Sequence, residues 1–356
     1  MLYVGLDWHT KTSTCHILDA NGRKINERTV KGHRSRMVEY LRSIRNDQPM
    51  AICLEASCGY GSLHDELAGF AERIVVAHPG NARLIFRSRR KNDRIDAQKL
   101  AKLLYLDEVP QVYVPGVDTR AWRSMIEFRR RQVDLRVRIK NQIRALLRSY
   151  GIAKPREVGG LWTKKGLTWL EELALPNQTA GMQRDLLRME LDHVEKAIAK
   201  ITANLESVAK NHPGVILLKT IPGVGNRTAE SVVAYIDNPH RFRRNRSVGT
   251  YFGLVPCQDA SAGVNRLGHI TREGPRTPRK MLVEAAWRAI DKSDEMRGWF
   301  EHLTGGRKER RKIAIVAVAH KLVRIMLAML KSGESWNSSL HRSWVKDEIN
   351  AEVSMN

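Results

Sequence analysis

The chain has 356 residues, enough for two or three domains, and it is strongly basic, with 61 lysines and arginines against 38 acidic residues and a formal net charge of +23. This charge argues against an ordinary metabolic enzyme and indicates a polyanionic partner, nucleic acid above all. No membrane partner is expected, because the longest apolar run, IAIVAVA at 313–319, is too short to span a bilayer and no signal peptide precedes the first strand. The four cysteines form no CxxC pair, which fits a cytoplasmic protein and argues against a zinc site.

Alternating strands and helices are predicted for residues 1–115. Three strands come first, LYVGLDW, STCHILDA and INERTVK, with a hairpin signal at Asn21-Gly22. Helix, strand, helix, strand and helix follow, in the segments RSRMVEYLRSIRN, MAICLEA, GSLHDELAGFAE, RIVVAHP and NDRIDAQKLAKLLYL. The order βββαβαβα predicts an α/β domain with a mixed sheet of the ribonuclease-H type and helices on its faces.

A helical region is predicted for residues 116–211. Its first helix carries nine arginines and one lysine against two acids between Arg120 and Arg148, and Arg129, Arg130 and Arg131 are the densest part of this nucleic-acid track. A heptad seam then runs from Leu187 to Val208. It favours a coiled coil, with an ordinary amphipathic bundle helix as the alternative. The seam must pack on a helix of the same chain or of a partner, and we expect a homo-oligomer, a dimer or tetramer, held partly by it.

A mainly α-helical domain is predicted for residues 212–334, with a polar tail at 335–356. IPGVG lies between two apolar helical segments and is typical of a helix-hairpin-helix turn, whose backbone N–H groups can hold a phosphate at Gly223 and Gly225. A plain tight turn would have the same sequence. A glycine-dotted segment, SAGVNRLGHITREG, follows before the last helices.

Four carboxylates are predicted to converge in the first domain. Asp7 ends the first strand, Glu55 ends the fourth, and Asp93 and Asp96 lie on one face at the start of a helix. In a sheet of this order the first and fourth strands are neighbours, and like charges so close need a cation. Oxygen ligands suit Mg²⁺ or Mn²⁺, which support phosphodiester cleavage. Taken singly, a strand-terminal aspartate is more often a turn former and Asp96 suits a helix start.

Several segments together resemble the Piv-like DEDD insertion-sequence transposases, the family of RNA-guided bridge recombinases. GLDWH, LEASCGYG and KNDRIDAQKLA resemble the DEDD motifs of the family's RuvC-like N-terminal domain. TIPGVGNRTAESVVAYI, YFGLVP and SAGVNRLGHITREG resemble its C-terminal transposase domain. The resemblance covers about 2–115 and 212–300. Ala262 stands where a glycine is usual and Pro278 where a leucine is usual, and Trp8 and His9 are less typical neighbours of the first aspartate.

The resemblance implies a DNA recombinase that moves its own element, works as an oligomer and uses a structured RNA from the element to choose donor and target DNA. It implies that the four carboxylates bind metal and that Ser261 is the nucleophile. The residues themselves add small neighbours around Ser261 and nearby positive charge at Arg266 and Arg272, with Arg279 keeping the family's basic position. A loop serine that caps a turn is the alternative.

The residues by themselves allow two other functions. A metal-only RuvC-like nuclease or Holliday-junction resolvase would use the carboxylates without a serine, and a non-catalytic nucleic-acid-binding protein would need neither. No base for Ser261 is evident, and His269 is the nearest histidine. We therefore expect the metal to polarise the scissile phosphate for the serine, if the two domains act on the same DNA strand.

Overall fold

The computed structural model describes residues 1–85, 92–261 and 264–337. The chain divides into two compact units, one ending at Val117 and the other beginning at Asp118. Most of the predicted polar tail lies outside the described residues, and so do Ala262 and Gly263 in the serine-bearing segment.

The first unit consists of five strands with helices between and after them. The strands are β1 (Leu2–Trp8), β2 (Thr12–Leu18), β3 (Lys24–Lys31), β4 (Met50–Glu55) and β5 (Arg73–Ala77). The helices are α1 (Ser35–Ile44), α2 (Tyr60–Ala68), α3 (Pro79–Ile85) and α4 (Asp93–Tyr105). The short helix α3 is an addition to the predicted order, and it begins at Pro79, which was predicted as the last residue of the strand RIVVAHP.

The strands form one mixed sheet in the order β3-β2-β1-β4-β5, which confirms the predicted mixed α/β unit. β1 pairs antiparallel with β2 and parallel with β4, and β5 pairs parallel with β4. Leu6 lies opposite Leu54 in the parallel pair. The predicted neighbourhood of the first and fourth strands is therefore confirmed, and the residues that follow this pair, Asp7 and Glu55, lie at adjacent strand ends.

The central strands are apolar because both of their faces are covered. On one face Val4, Leu6, Ile52 and Leu54 pack in a cluster with residues of α1 and α2. On the other face Ala51 and Cys53 pack with residues of α4, including Leu100 and Leu104. Such strands read as nearly continuous apolar runs, and a charge at their ends stands out against them.

The second unit is mainly helical, as predicted, and contains one two-stranded sheet. Its helices are α5 (Val117–Ser149), α6 (Lys164–Glu172), α7 (Gln178–Lys210), α8 (Pro213–Leu218), α9 (Asn226–Ile236), α10 (Ser247–Tyr251), α11 (Arg276–Lys292), α12 (Asp294–Thr304) and α13 (Arg311–Ser332). Its strands are β6 (Pro256–Ser261) and β7 (Val264–Ile270), an antiparallel hairpin whose second strand lies in the glycine-dotted segment.

The heptad seam lies on α7 and is buried within the same chain. Leu191, Val194 and Ile198 pack in one cluster with residues of α5 and α6, and Ile201 and Leu205 pack in a second cluster with residues of α5 and α9. The last seam residue, Val208, is 48% exposed. The burial that the heptad seam requires is thus provided mainly by α5 of the same chain. The seam therefore gives no evidence for contact with a partner chain.

Polar contacts fix the direction of this helix pair. Arg129 Nε donates to Thr202 Oγ1 at 2.8 Å, and Lys140 Nζ lies 2.9 Å from Glu195 Oε1. The contacting residue number therefore rises from 129 to 140 along α5 while it falls from 202 to 195 along α7. The two helices are antiparallel. The arginine-rich α5 still buries one face, because Ile126, Ile139 and Ile143 are nearly inaccessible.

Helix α13 is long and apolar enough to cross a membrane by length and composition alone. The uninterrupted apolar run at 313–319 is only part of this helix, so the run alone indicated too short an apolar segment. Its most apolar window is 61% buried, and Val318, Leu322 and Met326 are completely buried in the main cluster of the second unit. These are the properties of a core helix.

The intrachain burial of the seam makes a stability prediction. Leu191→Ala should lower the free energy of unfolding of the second unit by about 2–5 kcal/mol, because a leucine that is 1% exposed leaves a cavity in the α5–α7 cluster. Urea denaturation measures this change. Met189→Ala on the same helix, where the side chain is 68% exposed, is the control and should stay within about 0.5 kcal/mol. A lower oligomer mass with unchanged stability would contradict the intrachain assignment.

Candidate active site and nucleic-acid surface

The predicted carboxylates are carried by three elements of the first unit. Asp7 lies one residue before the end of β1, Glu55 is the last residue of β4, and Asp93 and Asp96 are in the first turn of α4. The Asp7 side chain is only 12% exposed. The sheet and the helix therefore place the four residues at one end of the parallel strand pair.

Gly5 allows α4 to lie directly against β1. A Cβ at this position would lie 2.0 Å from the Ala97 carbonyl oxygen and 2.3 Å from the Ala101 backbone nitrogen. No side chain fits into that space. The start of α4 is fixed as well, because the Asn92 side chain accepts a hydrogen bond from the Arg94 backbone N–H at 3.0 Å. The position of Asp93 thus depends on one glycine and one helix cap.

The electrostatics of Asp7 show that the four carboxylates act on one another. Burial raises the pKa of Asp7 from its ordinary 3.8 to about 6. His9 lowers the pKa, and the negative charges of Asp93, Asp96 and Glu55 raise it. The folded protein without a cation thus holds the Asp7 proton more tightly than the unfolded chain does. This stabilisation is complete below pH 3.8 and is lost as the pH rises through 6. A bound cation would favour the ionised carboxylate instead.

Ligand atoms of Asp7, His9 and Asp93 lie within 4.8 Å of one another. His9 Nε2 is 3.5 Å from Asp7 Oδ1, and Lys99 Nζ is 3.4 Å from Asp96 Oδ1. The donor set is dominated by carboxylate oxygens, which fit Mg²⁺ or Mn²⁺. His9 is a new member of this group. Its spacing of two residues from Asp7 at a strand end was the available signal.

Ser261 is the last residue of β6 and pairs with Val264 at the tip of the β6–β7 hairpin. Arg266 lies two residues further along β7, opposite Asp259, and is exposed. His269 is five residues beyond Val264, about 17 Å along the strand at 3.3 Å per residue. That separation rules out His269 as the base for the serine of the same hairpin.

The base of the hairpin is held by backbone packing and by Arg279. Arg279 Nη1 donates to the Phe252 and Glu273 carbonyl oxygens at 3.0 and 2.7 Å. A Cβ on Gly253, whose φ is +64°, would lie 2.3 Å from the Glu273 carbonyl oxygen. Burial lowers the pKa of Arg279, and the nearby charges of Arg272 and Arg276 lower it further. Arg279 therefore fixes the hairpin, while Arg272 is exposed beside it.

The predicted arginine track on α5 is largely engaged within the fold. Arg129 donates a hydrogen bond to Thr202, and Arg130 forms salt bridges with Glu127 and Asp134. Arg131 is the exposed member of the three and lies over the Phe128 ring at 5.7 Å. A run of arginines on a helix thus serves the packing of that helix as well as any external partner.

The two glycines of the IPGVG turn differ in their surroundings. Gly223 has φ +89°, and a Cβ there would lie 2.6 Å from the Ala289 backbone nitrogen, so this glycine permits close packing of the turn on α11. Gly225 precedes α9, and a Cβ added to it would meet no atom within 4 Å among the described residues. The flanking helices α8 and α9 are present, and only the second glycine has open space beside it.

Two family models match this chain. A DEDD transposase model of the IS110 type matches residues 4–152, and the model of the transposase IS116/IS110/IS902 family matches residues 216–300. The chain belongs to the IS110/IS116 family of insertion-sequence transposases. The first match contains all four carboxylates, and the second contains Ser261 and its hairpin.

Relatives over nearly the whole length agree with this family. The transposase for insertion sequence element IS1111A of Coxiella burnetii is 28% identical over 90% of this chain and 86% of its own length. The protein named "Probable family 20 transposase" of Pseudomonas aeruginosa is 25% identical, with coverage of 92% and 96%. The transposase for insertion sequence element IS1328 of Yersinia enterocolitica is 23% identical, with coverage of 93% and 97%.

The transposase also presents an arginine loop, residues 241–246, that was not predicted from the sequence. Arg243, Arg244 and Arg246 are exposed, and among the described residues no ion pair joins them to a carboxylate. The loop backbone is anchored, because Phe242 is buried and Lys331 Nζ donates to the Phe242 carbonyl oxygen at 2.7 Å. The motif RFRRNR between two helical segments was the signal.

The packing of α4 on β1 makes a prediction for this transposase. Gly5→Ala should lower the free energy of unfolding of the first unit by about 1–3 kcal/mol, because the added methyl group forces α4 away from the sheet. It should also weaken binding of Mn²⁺ by displacing Asp93. Denaturation and calorimetric titration measure the two effects. Gly69→Ala, with φ −70° and its nearest atom at 3.6 Å, is the control and should change neither. Equal behaviour of the two variants would refute the role of Gly5.

Proposed function

We propose that this transposase cuts and rejoins the DNA of its own element with Ser261 as the nucleophile and with a divalent metal, Mg²⁺ or Mn²⁺, held by Asp7, Glu55, Asp93 and Asp96. The observation that carries the proposal is the placement of four carboxylates at one end of the β1–β4 pair, on two strand ends and the first turn of α4. The pKa of Asp7, raised by burial and by the other three carboxylates, supports it. A fold keeps such a cluster at a cost in stability, and a functional cation offsets that cost.

The carboxylates would hold the metal through oxygen ligands from two strand ends and one helix. Asp7 is only 12% exposed at the end of β1, and Asp93 and Asp96 come from a helix whose packing on β1 leaves little freedom. A metal held there supplies charge stabilisation for a scissile phosphate. The mixed sheet order supports a RuvC-like function for this unit.

The serine would act by direct attack on phosphorus. A bond forms between Ser261 Oγ and the phosphorus atom, and the bond from phosphorus to one DNA oxygen breaks. The proton of the serine passes to solvent or to the leaving oxygen, which becomes a free hydroxyl. One DNA end is then an ester of the serine, and attack by a DNA hydroxyl reverses the step and rejoins strands. Ser261 ends β6, and the exposed residues at 257–259 and 266–269 of the same hairpin support access to DNA.

Exposed arginines would bind the nucleic acids, both DNA and a structured RNA encoded by the element. Arg131, Arg266 and Arg272 remain exposed among the predicted residues, and the arginine loop adds three more charges. Gly225 offers the open end of α9 to a phosphate. The net charge of +23 supports a polyanionic partner of this extent. The complex would assemble as a dimer or tetramer on its DNA.

The covalent step has a direct test. A nicked DNA substrate should trap a protein–DNA adduct that maps to Ser261 by mass spectrometry. The adduct should disappear in Ser261→Ala, because no oxygen nucleophile remains. It should fall at least about a hundredfold in Asp7→Asn or with EDTA, because the loss of one charge-stabilising group costs about that factor.

The controls separate this mechanism from the alternatives. Asp19→Asn removes an aspartate of the same unit that lies outside the carboxylate cluster, and it should leave the adduct unchanged. Metal-dependent cleavage that persists in Ser261→Ala would indicate a metal-only nuclease or Holliday-junction resolvase. Binding without any cleavage would indicate a non-catalytic protein, and an adduct on another residue would refute the nucleophile.

The arginine loop has a separate test. Replacing Arg243, Arg244 and Arg246 by glutamine should reduce the slope of log affinity against log salt by about two to three, one for each lost phosphate contact. Fluorescence anisotropy with the element-end DNA and with co-purified RNA measures the slope for each partner.

The matched control removes the same charge elsewhere. Lys164, Lys196 and Lys200 are exposed on α6 and α7, and their replacement by glutamine lowers the net charge by the same three units. This triple variant should keep the slope of the unaltered protein. Equal losses in the two triple variants would show a general effect of charge and would contradict a specific role of the loop.

A further inference from the structure

We infer that His9 is a nitrogen ligand of the metal and that it makes the carboxylate site take Mn²⁺ in preference to Mg²⁺. The inference rests on the proposed function, because it requires metal at Asp7 and Asp93. It adds a ligand from outside the four carboxylates and predicts which ion the site prefers.

The position of His9 is set by the end of β1. His9 lies two residues after Asp7, and residues at this spacing lie on the same face of an extended chain. Its backbone N–H donates to the Thr12 carbonyl oxygen at 2.8 Å, which closes the turn to β2. The backbone of His9 is therefore fixed beside Asp7 by the turn that joins two strands of the sheet, and its imidazole, 58% exposed, lies within reach of Asp7.

The distances suit a shared ion. His9 Nε2 lies 3.5 Å from Asp7 Oδ1, and the ligand atoms of Asp7, His9 and Asp93 lie within 4.8 Å of one another. Two ligands that bind one ion at about 2.1–2.2 Å lie about 3–4.4 Å apart, depending on the angle between them. The His9–Asp7 pair already has such a separation, and small side-chain rotations bring the third group into range.

The chemistry of imidazole decides between the ions. Mg²⁺ prefers oxygen ligands and keeps much of its water, whereas a transition-metal ion accepts an imidazole nitrogen more readily. A site of oxygen ligands and one nitrogen therefore favours Mn²⁺. A simple ion pair of His9 with Asp7 would also give the observed 3.5 Å distance, and it predicts no nitrogen on the metal.

Pulsed electron paramagnetic resonance on the full-length protein loaded with MnCl₂ tests the inference. The unaltered protein should show coupling of Mn²⁺ to a ¹⁴N nucleus, and His9→Gln should lose it. By calorimetry the same variant should bind Mn²⁺ at least about tenfold more weakly, because even the loss of a group that only supports a metal ligand costs about 10- to 100-fold in affinity, and the change for Mg²⁺ should be smaller. His33→Gln is the control, because this exposed histidine of the same unit contacts Ser35 instead.

The outcomes separate His9 from the metal site itself. Mn²⁺ that binds, is lost in Asp7→Asn and shows no ¹⁴N coupling would refute the role of His9 and leave the carboxylate site intact. Coupling that persists in His9→Gln would refute it too. Absence of Mn²⁺ binding in the unaltered protein, or binding unaffected by Asp7→Asn, would refute the metal site and the inference together.

Discussion

The close approach of α4 to β1 at Gly5 is the contact on which the candidate metal site depends. Two of its carboxylates are on a helix and two are on strands, so they meet only if the helix lies directly on the sheet. A glycine with no room for a Cβ makes that approach possible. Once the helix is there, burial raises the pKa of Asp7 and the other three acids raise it further. The apolar core on both faces of β4 keeps this unfavourable cluster in place.

Much of the first unit could be predicted because its signals are local. The apolar runs of β1 and β4 stand out, and carboxylates that end such runs are conspicuous, so the strand neighbourhood of Asp7 and Glu55 followed from element order. The role of Gly5 could not be predicted, since it depends on a helix about ninety residues further along the chain. His9 had a visible signal in its spacing from Asp7, but the distance to Asp93 exists only in the folded chain.

The second unit was harder to predict because its partners are distant in sequence. A heptad seam requires a helix to cover it and does not specify which one, and here α5 of the same chain covers Leu191 and Ile198. A run of arginines likewise does not show whether its side chains pack within the fold or face a partner. Arg129 donates a hydrogen bond to Thr202, whereas Arg243 and Arg244 are exposed on an anchored loop. The role proposed for Ser261 came from family resemblance, and the glycine-dotted segment gave no clear sign of a hairpin.

The two parts of the proposed chemistry differ in how firmly the fold holds them. The carboxylates lie on elements packed in a core, as a metal site requires. Ser261 ends the first strand of a two-stranded hairpin, and the strands of this hairpin are exposed at 257–259 and 266–269. A two-stranded hairpin is marginally stable without further packing. Arg279 and Gly253 fix only its base. For the role that we propose for Ser261, contacts of DNA with these exposed strands would add the stability that the hairpin lacks, so that the serine would react only after substrate binds.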